Sequence, residues 1–161
     1  MKSAKSAPVK IVEKKLLQAA LLAVLDRKVA ALESSLSKAQ ATSAQWPELN
    51  RNALLLGDQR ALDQAKQSRD AVARVLPNEP AHSHQLGDGT VLLMREDKRV
   101  TFYFMILGVK TVAETLVEGV RVMLSNGQPW SLFAPLSVGQ TMELRSAQNK
   151  SEGLCEVLSI Y

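Results

Sequence analysis

The chain has 161 residues, of which 46% are hydrophobic and 22% charged, and it carries a formal net charge of +4. This composition is typical of a globular chain and excludes one that is largely disordered. No apolar run approaches the roughly 20 residues of a membrane span and no signal peptide is recognisable, so the sequence predicts a cytoplasmic protein without membrane contact. The lone Cys155 excludes an intrachain disulfide and a cysteine-based zinc site, and we expect a small buried thiol.

The positive charge is concentrated in the first half of the chain. Residues 1–76 hold 13 Lys and Arg against 7 Asp and Glu, a net charge of +6, whereas residues 77–161 hold 7 against 9, a net charge of −2. A basic half suits a partner rich in phosphate or acidic side chains, and this includes indirect contact with nucleic acid. A lysine-rich solvated helix surface would show the same balance, and no nucleic-acid reading motif separates the two.

A basic tail over residues 1–8 precedes a heptad pattern over residues 9–76. Apolar or small residues recur at spacings of three and four on an outgoing segment and, less regularly, on a return segment. They are Ile11, Leu22, Leu25, Val29, Leu32, Leu36, Ala39 and Trp46, and then Leu55, Leu62, Ala65, Val72 and Leu76. This spacing predicts an antiparallel helical coiled-coil hairpin. The outgoing helix would span roughly 50 Å at about 1.5 Å per residue.

The outgoing helix carries a second apolar stripe near its start, formed by Leu17, Leu21 and Val24. Two stripes on one helix require two packing partners. The second partner is either the domain that follows or a second copy of the chain, and in the latter case the stripe predicts a homodimer. The sequence leaves both open.

The end of the hairpin is predicted at Gln45, Trp46, Pro47 and Glu48. Pro47 suits the first position of a new helix, and Glu48 then lies in the first turn, where the helix dipole favours an acid. We interpret Trp46 as a packing cap for the hairpin rather than a ligand contact. Farther along the return helix, Gly57 costs roughly 1 kcal/mol relative to Ala and marks either a local irregularity or a close approach of two helices.

Pro77 and Pro80 end the return helix, so residues 77–85 are a predicted linker. From residue 86 onward the pattern alternates with a period of two, which predicts short strands and one short helix. The strands are expected at about residues 90–95, 100–107, 111–117, 119–124, 141–146 and 154–160, and the helix at about residues 129–136. The combination favours an α+β class with a small antiparallel sheet.

Four segments of this second half carry a family resemblance. They are L-G-D-G-T-V at residues 86–91, V-T-F-Y-F-M-I-L-G at 100–108, V-G-Q-T-M-E-L at 138–144 and C-E-V-L-S-I-Y at 155–161. Together with the hairpin they resemble the Gre family of transcription elongation factors (GreA and GreB), and the Val-Gly-Gln turn is also similar to Rnk, a related regulator. The resemblance implies an FKBP-like C-terminal domain over residues 86–161.

The resemblance also implies a partner, RNA polymerase. In that family the globular domain docks at the rim of the polymerase secondary channel, and the hairpin inserts towards the active site. Members that stimulate transcript cleavage use two acidic residues at the tip to help hold a magnesium ion, which activates water for cleavage of backtracked RNA. The corresponding docking candidates are Pro129, Trp130, Leu132, Phe133 and Leu136.

The tip of this chain departs from the family pattern. Between Lys38 and Arg60 the only acids are Glu48 and Asp58, and if Glu48 takes the second place of the family's Asp-x-x-Glu motif, Gln45 takes the first. An amide does not supply the missing charge, and magnesium prefers several hard oxygen ligands. The sequence therefore predicts a regulatory factor that is not an enzyme and holds no metal or cofactor. The alternatives are a homodimeric scaffold protein unrelated to polymerase and a cleavage factor that uses Glu48.

Overall fold

The computed structural model describes residues 10–76, 87–125, 137–145 and 151–161, and it has an α+β fold in which a helical hairpin precedes a six-stranded sheet. This confirms the predicted fold class. The elements are α1 (Lys14–Thr42), a 3-10 turn (Ser43–Gln45), α2 (Glu48–Ala73), β1 (Val91–Glu96), β2 (Arg99–Met105), β3 (Glu114–Val117), β4 (Val120–Ser125), β5 (Thr141–Arg145) and β6 (Ser151–Ile160). Among these described residues no helix has both the length and the apolar composition that a membrane span needs.

Several sequence predictions fall on other parts of the chain. The basic tail, the linker and the short helix at residues 129–136 lie outside the described residues. The FKBP-like assignment and the domain boundaries therefore stay predictions. Cys155 is buried as expected, and burial raises the pKa of its thiol to about 11.

The two helices bury most of the predicted heptad positions. In the middle of the hairpin the buried cluster consists of Val29, Leu36, Leu62 and Ala65, with Leu32 and Leu55 packed against it. Nearer the base, Leu25 and Val72 are buried in the core that the helices share with the sheet. Ile11 and Leu76 are exposed, because α1 begins at residue 14 and α2 ends at residue 73. Heptad spacing continues in the sequence beyond the point where the helices themselves end.

The strands are ordered β3-β4-β2-β1-β6-β5, and every neighbouring pair is antiparallel except β2 and β4, which are parallel. The exception arises because the chain passes through β3 between β2 and β4 and then reverses. Glu118 and Gly119 form that reversal with φ of 50° and 79°. Two successive positive φ values are those of a type I′ turn, whose twist suits a two-residue hairpin.

The sheet buries side chains on both faces. Along β2, Phe102 and Phe104 lie on the face that the helices cover, and Tyr103 lies on the opposite face. This is the alternation that a strand imposes on successive side chains. One core therefore joins the sheet to the hairpin, and a second, methionine-rich core on the other face contains Met94, Met105 and Met142.

The second stripe of α1 packs on the chain's own sheet. Leu17 and Leu21 are fully buried in the same core as Phe102 and Phe104, and Val24 packs against that core. The prediction of a homodimer through this stripe is corrected, since buried side chains offer no surface to a second copy.

Polar contacts join the two helices at the hairpin base and tie that base to the sheet domain. Gln18 Nε2 donates to the carbonyl oxygens of Val72 and Val75, both at 2.8 Å. Val72 lies in the last turn of α2 and Val75 just beyond it, where carbonyl groups run out of helical donors, so the side chain of α1 supplies one to each. The Tyr161 hydroxyl donates to Val12 O at 2.6 Å and so ties the last residue of the chain to the start of the hairpin.

Gly89 permits the close approach of the sheet to the end of α2. Its φ is +86°, and a Cβ added there would lie 2.5 Å from Val75 Cγ1. Any other residue would meet both the strain of a positive φ and a steric clash. The predicted Gly-Asp-Gly turn is therefore part of the packing between the two halves of the molecule.

Candidate functional site at the end of the helical arm

The distal half of the hairpin extends beyond the sheet as an arm, here defined as residues 29–66. Its base is marked by Lys28, whose Nζ donates to Val112 O at 3.0 Å. Beyond that contact, α1 continues to Thr42 and rises roughly 21 Å at about 1.5 Å per residue. The buried cluster of this part of the molecule contains only residues of the two helices. The arm thus presents its remaining surface to a partner or to solvent.

The end of the arm is a short turn between the helices. Trp46 N donates to Ser43 O at 2.9 Å, and Trp46 is extended with ψ of 154°, as expected before a proline. Pro47 is extended as well and caps α2 rather than occupying its first helical position, which Glu48 takes instead. Arg51 N donates to Pro47 O at 3.1 Å and closes the first turn.

The surface of this end is mainly apolar. Trp46 is 44% exposed and Leu49 is 85% exposed, while Gln45 and Glu48 are also exposed. Trp46 is not among the residues packed in the buried cluster of the arm, so its interpretation as a packing cap stays a prediction. A large apolar side chain that remains in solvent marks a surface suited to binding another molecule when it has similar neighbours.

The two acids nearest the end of the arm do not fit a magnesium site. Glu48 begins α2 and Asp58 lies ten residues later on the same helix, which separates them by roughly 15 Å along its axis at about 1.5 Å per residue. Two carboxylates that share a magnesium ion must each reach it at about 2.1 Å. Among the residues that the structure describes, no three His, Cys, Asp or Glu side chains gather as a possible metal site.

Gly57 lies in the continuous part of α2, and a Cβ added there would meet no atom within 4 Å. Both sequence interpretations of this glycine are therefore wrong. The helix is continuous through it, and α1 does not come close to it. Its helix faces open space at this position.

A second apolar stripe on the arm escaped the sequence interpretation. Leu49, Ala53 and Leu56 follow one another at spacings of four and three along α2, and all three are exposed. The heptad positions that face α1 are Leu55, Leu62 and Ala65, on the other side of the same helix. The spacing contains this stripe, but a heptad pattern alone does not tell which of two stripes on one helix faces the partner helix.

The predicted docking residues of the C-terminal half, Pro129, Trp130, Leu132, Phe133 and Leu136, lie outside the described residues. A cleft of about 560 Å³ does lie on the described part of the sheet, lined by Glu96, Arg99, Val100, Thr101, Glu114, Leu116, Gly119 and Arg121. Its charges are largely paired with one another, because Arg121 donates to both carboxylate oxygens of Glu114 at 2.8 and 2.9 Å. The same hydrogen bonds lower the pKa of Glu114.

Tyr103 projects from the same sheet face and donates its hydroxyl hydrogen to Glu96 Oε1. Burial, reinforced by this carboxylate, raises the pKa of Tyr103. A phenol held in its protonated form acts as a hydrogen-bond donor and not as a base. The cleft is therefore built for polar contact and lacks an activated nucleophile among its described residues.

No protein-family model matches the chain, and no curated protein matches it. Among solved structures it is similar to the crystal structure of GreA factor homolog 1 (Gfh1) of Thermus thermophilus, at 12% identity over 92% of this chain and 94% of that one, with a TM-score of 0.35. A structure of Thermus aquaticus Gfh1 gives 14% identity, 97% and 99% coverage and a TM-score of 0.33. Similarity this distant carries no conclusion about what the chain binds.

Proposed function

We propose that this chain is a Gre-like transcription factor that binds RNA polymerase at the secondary channel and regulates transcription without stimulating transcript cleavage. The observation that supports it is the arm itself. Two helices leave a sheet domain and end in Trp46 and Leu49, with no pair of carboxylates near them. A protruding rod with an apolar end suits insertion into a cavity of a larger partner, and the family resemblance of the strand segments supplies the identity of that partner.

The junction between arm and sheet supports this role mechanically. Leu17 and Leu21 are fully buried against the sheet, and Gln18 bridges α1 to the last turn of α2. A packed interior transmits strain because it has few voids into which side chains can relax. A docked sheet domain would therefore hold the end of the arm in a fixed position inside the channel.

The chemistry of the tip supports regulation rather than cleavage. Activation of water by magnesium requires the ion to be held by several oxygen ligands, and one exposed carboxylate supplies too few. Glu48 lies in the first turn of α2, where an acid is stabilised by the helix dipole without any metal. The protein would act by occupying the channel and would have no enzymatic activity.

A shortened arm tests the proposed binding mode. Deletion of residues 32–38 together with residues 57–63 removes one heptad from each helix and shortens the arm by roughly 10 Å while keeping the tip and the base. We expect the intact chain to bind core polymerase at moderate salt and to change the rate of transcription in vitro. The shortened chain should still bind through its sheet domain but lose the effect on transcription. Failure of the intact chain to bind polymerase, or an unchanged effect after shortening, would contradict the proposal.

A transcript-cleavage assay on stalled complexes tests the proposal that the chain does not stimulate cleavage. The intact chain should leave cleavage at the rate of polymerase alone, whereas Gln45→Asp, which restores an acid three residues before Glu48, should raise it. Gln40→Asp adds the same charge farther from the tip and serves as the control. Cleavage by the intact chain that disappears in Glu48→Gln would instead identify a cleavage factor that uses Glu48.

A further inference from the structure

The cleft of about 560 Å³ on the sheet lies on the face that turns away from the hairpin. Its volume is within the range of about 300–1,000 Å³ that small-molecule sites occupy in proteins. Thr101 shares this face with Tyr103, two residues on, because successive side chains of a strand alternate. Thr101 of β2 pairs with Arg121 of β4, and Arg99 of β2 pairs with Glu96 of β1. Four polar side chains from three neighbouring strands therefore line one cleft.

The Thr101 hydroxyl has no hydrogen-bond partner among the described residues. The residue is only 2% exposed, and it lines the cleft. No polar side-chain atom in the described part of the chain is both fully buried and without a partner, so the Thr101 Oγ1 atom must reach the open space. Hydroxyl groups of buried residues are normally hydrogen-bonded. This one is therefore available as a donor and an acceptor for a ligand in the cleft.

Two guanidinium groups lie beside this hydroxyl. Arg121 donates to Glu114 through Nε and Nη2, at 2.8 and 2.9 Å, so its side chain is held in place while Nη1 keeps its hydrogens for another acceptor. Arg99 is exposed, and within the described ranges it forms no ion pair, although Glu96 lies opposite it on β1. Guanidinium groups bind carboxylates through parallel hydrogen bonds. The two arginines and Thr101 together form a set of donors suited to a carboxylate.

Glu96 provides an acceptor on the β1 side of the cleft. Its Oε1 accepts a hydrogen bond from the Tyr103 hydroxyl, and its Oε2 has no partner among the described residues. Neighbouring strands lie about 4.8 Å apart, so a cation at Glu96 would be close to an anion at Arg99. The described lining holds two arginines and two glutamates, and its formal charge is zero. A ligand with one charge of each sign matches this lining better than a free phosphate, which would place negative charge against Glu96.

We propose that this cleft binds a free amino acid with an apolar side chain. The carboxylate of the ligand would accept hydrogen bonds from Arg99, from Arg121 Nη1 and from the Thr101 hydroxyl. Its ammonium group would donate to Glu96. Leu116 of β3 lines the same cleft and is 68% exposed, so it offers an apolar surface to the side chain of the ligand. The inference is independent of polymerase binding, because every contact in it is made by the sheet face that the hairpin does not cover.

Titration of the intact chain with L-leucine, followed by NMR of its backbone amides, tests the proposal. We expect saturable binding with a Kd of about 1 mM or lower and chemical-shift changes centred on the strands that line the cleft. Two analogues each lack one charge, since leucinamide has no carboxylate and isocaproate has no ammonium group. Each should bind at least about tenfold more weakly than L-leucine, because charge-assisted hydrogen bonds are lost. No saturable change with L-leucine, or equal binding of either analogue, would overturn the proposal.

Variants of the lining test the named contacts, with thermal unfolding as a check on folding. Arg99→Gln changes an exposed residue and should weaken L-leucine binding at least about tenfold. Lys98→Gln is the matched control, because Lys98 is exposed in the adjoining turn and lies outside the described lining, and its effect should stay below about twofold. Thr101→Val keeps the shape of the side chain without its hydroxyl and should weaken binding about fivefold. Equal effects of the two charge changes, or an unchanged affinity in Thr101→Val, would contradict the assigned contacts.

Discussion

The base of the hairpin and the distal arm are built from the same two helices, yet their apolar side chains are buried by different elements. At the base, Leu17, Leu21 and Leu25 are buried because the sheet supplies a third element. In the arm only two helices are present, so one stripe of each is buried and the rest of their surface stays in solvent. Two helices alone cannot cover all their apolar side chains, and Leu49 and Leu56 remain exposed.

This difference separates residues that stabilise the fold from residues that are available to bind another molecule. At the base, polar groups are paired as well as apolar ones buried, since Gln18 donates to the carbonyl oxygens of Val72 and Val75 at the end of α2. The arm leaves an apolar face, a mid-helix glycine and an arginine without an intrachain partner among the described residues. Substitutions at the base should therefore affect folding, and substitutions on the outer face of the arm should affect binding.

The largest contrast is expected between Leu21→Ala and Leu49→Ala. Leu21 is fully buried, so its truncation removes apolar contacts and leaves a cavity, at a loss of about 2–5 kcal/mol in the free energy of unfolding. Leu49 is mostly exposed, and the same change should shift that free energy by no more than about 0.5 kcal/mol. Urea denaturation measures both. Equal losses would show that the base is not packed into a common core.

The polar side of the base is tested by Gln18→Ala. The carbonyl oxygens of Val72 and Val75 each lose a hydrogen bond from the Gln18 amide, and we expect a loss of about 1–3 kcal/mol in the free energy of unfolding. Gln59 is the control, because it is exposed on α2 and donates only to Asp63, four residues on, at 3.0 Å. Its replacement by Ala should remove about 0.2–0.5 kcal/mol. Thermal unfolding of both variants decides whether the bridge matters, and equal effects would argue that it does not.

Replacement of a glycine by alanine should change the free energy of unfolding in opposite directions in the arm, at Gly57, and at the base, at Gly89. Gly57→Ala should increase the free energy of unfolding by about 0.5–1 kcal/mol, because a Cβ there meets no atom and alanine favours the helix. Gly89→Ala should decrease it by more than about 1 kcal/mol, since the position combines a positive φ with contact to Val75. Denaturant titration of both variants provides the measurement. A destabilising Gly57→Ala would show that another group packs against α2 at this position.

The smallest effect on stability is expected from the exposed ion pair of Glu114 and Arg121 at the sheet edge. Arg121 lowers the pKa of Glu114 through two hydrogen bonds, so the pair stabilises the fold above the ordinary glutamate pKa of 4.5 and loses that contribution as the pH falls through the lower, folded-state value. Arg121→Gln should return the pKa of Glu114 towards 4.5. An NMR titration of the Glu114 carboxyl measures this, and an unchanged pKa in the variant would show that the pair does not form in solution.

Heptad spacing was sufficient to predict the hairpin, since a period of 3.5 residues is a local property of the chain. The strands were predicted within a few residues of their observed ends for the same reason, because alternation and glycine turns are local as well. The parallel pairing of β2 and β4 was not predicted. It depends on how β3 reverses the chain, and strand order is decided by long-range contacts that no local pattern records.

At the candidate site, too, some features followed from the local sequence and others depended on long-range contacts. The absence of a carboxylate pair at the tip followed from residue types alone, whereas the exposed stripe at Leu49 and Leu56 needed the partner of each helix face to be known. Local spacing fixed which side chains share a face, because helix and strand periods are set by backbone geometry. Only the tertiary structure decided that the stripe at Leu17 and Leu21 packs on the chain's own sheet while the stripe on α2 faces solvent, because burial is a property of neighbours distant in sequence.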